Sequence, residues 1–189
     1  MHSAAPTACP VNAAPARPRV PVQRVGFRAV NRHSDPGFQP GLQRHHLLPR
    51  QLLTEPVFGP LFATVGRDRI GFDDFRSNGL LLPGNATTAL RIGLPLHRGP
   101  HHGYTALVVE RVGHIERSWS ALHLRAPLVA EIEAVQRLRL LQQALRRRLL
   151  QPARKPFALN RHDPLGSHHD FTELDAMVDA LWPATELAL

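Results

Sequence analysis

The sequence has little material for covalent or thiol-based cross-links. Its single cysteine, Cys9, has no partner within the chain, which excludes an internal disulfide framework and a zinc module with cysteine ligands. Long apolar runs are also missing, and no stretch approaches the roughly 18 consecutive apolar residues of a transmembrane helix. We therefore expect no membrane partner. Residues 1–24 likewise lack the continuous apolar segment of a secretory signal peptide.

Residues 1–24 contain five prolines and six alanines, but no Leu, Ile, Phe or Gly. Such a segment cannot bury enough apolar surface to offset the entropy cost of ordering its backbone. We predict a disordered, Pro/Ala-rich leader over 1–24. A core domain over 25–126 and a helical C-terminal extension over 127–189, ending in an acidic tail, are predicted to follow.

Lysine is nearly absent, because 22 of the 23 basic residues are arginine. All 23 lie in residues 1–162 beside nine acidic residues, for a net charge of +14, whereas residues 163–189 contain six acidic residues and no Lys or Arg. A basic body favours a polyanionic partner such as nucleic acid, although an arginine-rich composition alone also explains it. The arginines at 146–148 have the same two interpretations, a nucleic-acid contact or a solvated helix face.

Local patterns predict two short strands. One is His45–Leu48, and the other is Leu80–Leu82, which follows a turn signal at Asn78-Gly79 and ends at Pro83. Between the two strands, residues 54–77 mix proline, glycine and charge with isolated aromatics, and we expect a long ordered loop there.

Apolar residues at helical spacing predict a helix over 101–121 and a second one over Pro127–Gln151. A last helix is predicted from Asp170 to Trp182, where the start has N-cap chemistry. His168–Asp170 is interpreted as a solvated helix start with a capping aspartate, although a second ligand cluster is the alternative. The mixture of strands and helices predicts the α+β class. The leucines of the second helix and Trp119 are expected to form core.

The twelve histidines are more informative than any other residue type. His45 and His46 are adjacent in a predicted extended segment, where neighbouring side chains point in opposite directions. His97 and His101 have i, i+4 spacing, which on a helical turn places both imidazoles on one face, where they can bind a single metal ion. If His45 completes a three-imidazole site, His46 is free to act as a general base with a near-neutral pKa. The spacing alone does not decide which of the pair binds the metal.

Three short blocks carry a family resemblance: RHHLLP at 44–49, NGLLLP at 78–83, and HRGPH at 97–101 with Tyr104 shortly after. Over roughly residues 40–115 the chain resembles the AHH family of the HNH/endonuclease VII superfamily of His-Me finger nucleases. That family often forms the toxin domain of bacterial polymorphic toxin systems. Arg44 is a departure, because the family name records an alanine there, but this alanine has no chemical role.

The resemblance implies a small ββα-metal (His-Me finger) core with long C-terminal helices packed around it. It also implies that His45, His97 and His101 bind one divalent metal ion, that His46 is the general base, and that Asn78 braces the loop that orients His46. Three imidazoles suit zinc, manganese or nickel, whereas magnesium prefers oxygen ligands, so the identity of the ion stays open.

The implied activity is metal-dependent hydrolysis of phosphodiester bonds by an endonuclease, with DNA as the substrate in preference to RNA. Arg44, Arg50 and Arg98 are candidates to clamp neighbouring phosphates, because guanidinium groups match phosphate geometry. Family context also implies an antibacterial toxin or effector, held in check by an immunity protein. Such a protein is either cytoplasmic or exported by a non-classical toxin-delivery route.

Other interpretations stay open at this point. His102 extends the second histidine cluster and is an alternative ligand. A stand-alone nuclease fits the same residues as a toxin does. A nucleic-acid-binding module of the same fold would no longer cleave, and a histidine-rich metal-binding protein would hold several ions per chain. The acidic residues of 163–189 either form a solvated helix or fold back on the basic body and compete with substrate.

Overall fold

The structure, a computed structural model, describes residues 23–151, 159 and 163–165. This part of the chain contains two strands, five α-helices and three short 3₁₀ turns, all of which precede the first α-helix. In chain order the strands and α-helices are β1 (Leu42–His46), α1 (Gly59–Val65), α2 (Phe75–Asn78), β2 (Gly79–Pro83), α3 (Ala86–Ile92), α4 (His102–His123) and α5 (Pro127–Leu150).

The two strands form an antiparallel sheet in which His45 lies opposite Leu80 and His46 opposite Gly79. The predicted strand before Pro83 is confirmed by β2. In contrast, β1 begins earlier than the predicted strand and ends at His46, so that Leu47 and Leu48 follow the strand as buried residues.

Asn78-Gly79 does not form the predicted turn. Asn78 is the last residue of α2, and Gly79 has an extended conformation, with φ of −111° and ψ of 154°, as the first residue of β2. Glycine is required here for space rather than for backbone freedom, because a Cβ at this position would overlap the Phe75 ring.

The two long helices lie where the apolar spacing predicts them, and α4 and α5 pack together over a shared hydrophobic core. Pro127 is the first residue of α5, a position where the missing N–H needs no partner. Ile132 is 53% exposed, because Ala130 and Ala134 take the inward positions at the start of this helix. The predicted core positions Trp119, Leu138, Leu141, Leu145 and Leu149 are buried.

The prediction of a long loop over 54–77 is wrong, since the segment contains α1, most of α2 and a 3₁₀ turn at Pro56–Phe58. Gly59-Pro60 is typical of a loop when only its immediate neighbours are considered. In the structure this proline occupies the first turn of α1, where it fits without loss of a hydrogen bond. The remainder of α1 then buries Leu61, Phe62 and Val65 in the core.

The described residues therefore form an α+β structure, and its two-stranded sheet followed by α4 is consistent with a ββα-metal core. Within this part, no helix is long and apolar enough to cross a bilayer. The predicted helix from Asp170 to Trp182, the His168–Asp170 segment, and nearly all of the leader and the acidic tail lie outside the described residues.

Tyr104→Phe tests how α4 is attached to the segment after β1. The Tyr104 hydroxyl donates to the Leu47 carbonyl over 2.6 Å, and both residues are buried. The substitution leaves that carbonyl without this donor in an apolar environment, so we expect the free energy of unfolding to fall by about 1–3 kcal/mol. Urea denaturation measures the change. An unchanged m-value would show that the variant and the wild type expose the same amount of surface on unfolding. A loss within experimental error would mean that the hydroxyl contributes nothing to this attachment.

Candidate metal centre

Three histidines from separate parts of the chain converge beside β1. His45 lies on β1, His97 lies in the segment between α3 and α4, and His101 immediately precedes α4. One ligand nitrogen from each ring lies within 4.8 Å of the other two. His102, the alternative ligand, is the exposed first residue of α4, and among the described residues it is not part of this group. The group formed by His45, His97 and His101 is called the histidine cluster below.

The chain brings His97 and His101 together without a helical turn, so the helical explanation of their spacing is wrong. The His97 N–H donates to the Pro83 carbonyl over 2.7 Å, which attaches this irregular segment to the end of β2. Gly99 then adopts a φ of 75°, a left-handed conformation that a residue without a Cβ adopts freely. The chain bends there and enters α4 with His101 as the N-cap residue.

The rings of the histidine cluster pack closely. Their centroids are separated by 4.9 Å for His45 and His97, 5.8 Å for His45 and His101, and 4.5 Å for His97 and His101. His97 Nδ1 lies 3.2 Å from Gln43 Oε1, and His101 Nδ1 lies 3.3 Å from the Leu159 carbonyl oxygen. Because a carbonyl oxygen can only accept, both Nδ1 atoms donate, and both Nε2 atoms carry lone pairs that can bind a metal.

Burial keeps these imidazoles neutral. His45 is 4% exposed, and burial, followed by the charges of His97 and His101, lowers the pKa of His45 to about 2. Burial and the charge of His101 likewise lower the pKa of His97 to about 4, and burial lowers the pKa of His101. All three side chains are therefore unprotonated near neutral pH, which is the form that binds metal ions.

The histidine cluster fits a divalent metal ion. The Nε2 atom of His45 is buried and has no hydrogen-bond partner among the described residues, a situation that costs free energy unless a cation or a donor is bound. Three neutral nitrogens are a donor set that suits zinc, nickel or manganese, and they leave coordination positions open. The geometry is compatible with one divalent ion held by three imidazoles.

His46 follows His45 on β1 and is not part of the histidine cluster. The Phe27 ring stacks on the His46 imidazole with a centroid distance of 3.7 Å and an interplanar angle of 4°. Burial and the positive charge of Arg50 lower the pKa of His46 to about 4, against a smaller opposing effect of Asp73. The imidazole is therefore neutral near physiological pH, and the expectation of a near-neutral pKa is wrong because burial and the Arg50 charge both disfavour its protonated form.

Asn78 is completely buried and connects the segment after β1 to the beginning of β2. Its Oδ1 accepts from the Leu48 N–H over 2.7 Å, while its Nδ2 donates to the carbonyls of Leu48, over 3.2 Å, and Phe72, over 2.9 Å. The Asn78 main-chain carbonyl also accepts from the Leu47 N–H. These bonds fix the two residues that directly follow His46.

The three candidate phosphate clamps are exposed but differ in their contacts. Arg44 Nη1 donates to the carbonyls of Phe27, over 3.2 Å, and Val30, over 3.4 Å, so this side chain anchors the turn that carries the stacked ring. Arg50 lies near enough to His46 for its charge to lower the pKa of that imidazole. Arg98 lies in the irregular segment directly after His97.

Sequence reasoning missed three contacts around these histidines, namely those of Gln43, Phe27 and Leu159. Gln43 had a usable signal, because it precedes His45 by two positions and strand alternation places both side chains on one face. Phe27 and Leu159 had none, since each reaches its histidine through tertiary packing from a distant part of the chain.

A comparison with protein families identifies the family of the chain. The model of a nuclease family of the HNH/ENDO VII superfamily with a conserved AHH motif matches residues 27–144, which is more than half of the chain. The chain belongs to the AHH nuclease family. In this AHH nuclease Arg44 occupies the place of the motif's alanine, and the matched region extends from Phe27 into α5. No curated protein and no solved structure matches the chain.

Gln43→Leu tests whether the contact with His97 supports metal binding by the AHH nuclease. Loss of the acceptor frees the His97 ring to rotate, and removal of such a partner typically weakens metal affinity by about 10–100-fold. Titration calorimetry of the metal-free protein with zinc should show one ion per chain in the wild type and this weaker affinity in the variant. Gln51→Leu is the matched control, because Gln51 is exposed and its side chain donates to Glu55 instead of contacting His97. Equal affinity in both variants would exclude a role for Gln43.

The metal-free protein should lose stability on acidification, because the unfolded chain binds protons that the buried imidazoles exclude. The pKa of His45 is about 2 in the fold, against 6.5 for an unperturbed histidine. The free energy of unfolding is therefore not reduced by His45 above about pH 6.5, and it falls below that pH because only the unfolded chain takes up the proton. We expect His45 alone to account for about 2 kcal/mol of the loss between about pH 6.5 and pH 5. Urea denaturation at several pH values measures this, and His45→Gln should show a shallower dependence. Identical pH profiles would contradict the burial of a neutral His45.

Proposed function

We propose that this AHH nuclease is a metal-dependent endonuclease that hydrolyses the phosphodiester bonds of nucleic acid. The observation that carries the proposal is that two adjacent histidines on one strand have different environments. His45 is buried, and its Nε2 has no hydrogen-bond partner among the described residues, whereas His46 is neutral and lies outside the histidine cluster. Membership of a nuclease family supports nucleic acid as the substrate.

His45, His97 and His101 would hold one divalent ion, with zinc, manganese or nickel preferred over magnesium by the nitrogen donors. When bound, such an ion acts as a Lewis acid for the negative charge that develops on the phosphate and the leaving oxygen, worth roughly several kcal/mol. The protein's contribution is to keep the three imidazoles unprotonated and in place. Gln43 and the Leu159 carbonyl support this by accepting from the outer nitrogens of two rings.

His46 would accept a proton from the attacking water. Its pKa of about 4 ensures that the imidazole is unprotonated before the reaction, and positioned proton abstraction contributes roughly 10²–10⁴-fold to a rate. The parallel Phe27 ring limits the tilt of this imidazole. Asn78 would position His46 indirectly, because it fixes Leu47 and Leu48 immediately downstream.

Among the arginines, Arg50 is our first choice for the phosphate clamp. It is exposed and lies near the proposed base, as its effect on the pKa of His46 shows. Arg44 is second, because its Nη1 already donates to two main-chain carbonyls. Arg98 is third, because it is exposed and directly follows the proposed ligand His97 in sequence.

We further propose DNA in preference to RNA as the substrate, and a role as an antibacterial toxin that is neutralised by an immunity protein. The support for both is the likeness of the histidine and asparagine blocks to nucleases that form toxin domains. The net positive charge of residues 1–162 supports a polyanionic substrate of either kind.

Cleavage of supercoiled plasmid tests the central proposal. The wild type with zinc, manganese or nickel should convert the plasmid to nicked and linear forms, and a chelator should stop the reaction. His46→Ala should bind the metal normally but lower the cleavage rate by roughly 10²–10⁴-fold. An RNA of matched length, supplied in a parallel reaction, reports the substrate preference.

His114→Ala provides the matched control, because His114 is exposed on α4 and lies outside the histidine cluster. It should cleave at the wild-type rate. Equal rates for His46→Ala and the wild type would remove His46 as the base. Absence of cleavage by the wild type with every ion would favour a binding module of the same fold.

A further inference from the structure

A second group of arginines lines a cavity of about 410 Å³ between the segment around α2 and helix α5. No histidine lines it, so it is distinct from the histidine cluster. Arg139, Gln142 and Arg146 contribute from α5, and Arg76 contributes from α2. This space is called the arginine cavity below.

Positive charge exceeds negative charge in the arginine cavity, where four arginines face two aspartates. Asp68 is paired with Arg24 over 2.6 Å. The other carboxylate, Asp74, accepts from the main-chain N–H groups of Val25 and Arg76, each over 3.1 Å. Among the described residues, the guanidinium groups of Arg76, Arg139 and Arg146 therefore have no carboxylate partner.

These three guanidinium groups are held in place by main-chain carbonyls. Arg146 Nη2 donates to the Arg76 carbonyl over 2.7 Å, and Arg139 Nε donates to the Arg69 carbonyl over 3.1 Å. Arg76 Nη1 donates to the Gln23 carbonyl over 3.2 Å. Because a guanidinium has five N–H donors, each side chain is fixed in direction and keeps further donors for a ligand.

In the part of the chain that the structure describes, the cavity wall also contains a half-buried positive charge without a carboxylate partner and a buried amide nitrogen without a hydrogen-bond partner. Burial lowers the pKa of Arg146, with no carboxylate acting against it, whereas Glu133 raises the pKa of the similarly buried Arg137. Gln142 is 3% exposed, and its Nε2 has no hydrogen-bond partner among the described residues. An anion in the cavity would offset this excess of donors and positive charge.

We propose that the arginine cavity binds a phosphate group, contributed by the nucleic-acid backbone close to the bond that is cleaved. Ser77 lines the cavity, and Gly79, two residues later, lies opposite His46 in the sheet. Two residues of chain span at most about 7 Å, so the cavity lies near the strand that carries the proposed base. Only the source of the phosphate rests on the proposed nuclease function, since free phosphate has the same chemistry.

Duplex binding by the metal-free protein tests the site without cleavage. Fluorescence anisotropy with a short labelled DNA duplex, in chelator and over a series of salt concentrations, gives the slope of log K against log salt. Arg146→Gln should weaken binding and lower that slope by about one. Arg146→Lys keeps the charge and should retain most of the slope. If Arg146→Gln is not folded, Arg139→Gln replaces it.

Arg147→Gln is the matched control, because it removes the same charge from the same helix at an exposed position outside the cavity. It should change the slope much less than Arg146→Gln does. Equal reductions would overturn the proposal, since diffuse surface charge would then explain the binding.

Calorimetric titration with inorganic phosphate distinguishes the two sources of the anion. If Arg146→Gln abolishes phosphate binding but does not change the salt dependence of duplex binding, the site is supported and its ligand is free phosphate. No effect of Arg146→Gln on either ligand would overturn the site. If duplex binding depends on Arg146 but the protein cleaves no substrate, the phosphate site in the arginine cavity is supported and only the proposed nuclease function is contradicted.

Discussion

The buried side chain of Asn78 holds together the two parts of the chain on which the candidate site is built. Its amide accepts from Leu48 and donates to the carbonyls of Leu48 and Phe72, and together with the main-chain bond from Leu47 to the Asn78 carbonyl it continues the hydrogen bonding beyond the strand pairing that ends at His46. Because these groups have no access to water, any displacement would leave several polar atoms unpaired, and each would cost about 1–3 kcal/mol. The direction in which β1 ends, and with it the orientation of both adjacent histidines, follows from this constraint.

Strand geometry then separates the two histidines chemically. Alternation on β1 directs His45 towards α4, where its ring lies 4.9 Å from that of Tyr104, and leaves His46 to stack on Phe27. Both imidazoles are neutral for the same first reason, burial, but their neighbours differ. His45 faces two other imidazoles and has a nitrogen without a partner among the described residues, which suits a metal ligand. His46 stacks on an aromatic ring and lies outside the histidine cluster, so its nitrogens are not drawn into the group of metal-binding atoms.

Features of this arrangement that depend on neighbouring residues in the chain were predictable from the sequence, whereas contacts between distant residues were not. The strand before Pro83 and the helices α4 and α5 were predictable, because apolar spacing and proline position are local signals. The convergence of His97 and His101 was predicted for the wrong reason: the residues meet through a left-handed Gly99 and a bond to Pro83, not through a helical turn. The short helices in 54–77 were missed because glycine and proline are usually taken as loop formers, although Pro60 fits the first turn of α1. The stacking of Phe27 on His46 had no local signal at all.

The same side chains that stabilise the fold also organise charge around the proposed site. Arg44 fixes the turn that carries Phe27, and Arg146 fixes the carbonyls of Arg76 and Ser77, directly before Asn78. In each case the guanidinium uses part of its donor set for the main chain and remains positively charged on the surface or in a cavity. Lysine cannot do both as well, because its ammonium group lacks the planar fork of donors that arginine presents. At Arg44 and Arg146, arginine therefore has a structural explanation in addition to any attraction for nucleic acid, because each guanidinium bonds the main chain and keeps further donors in a fixed direction.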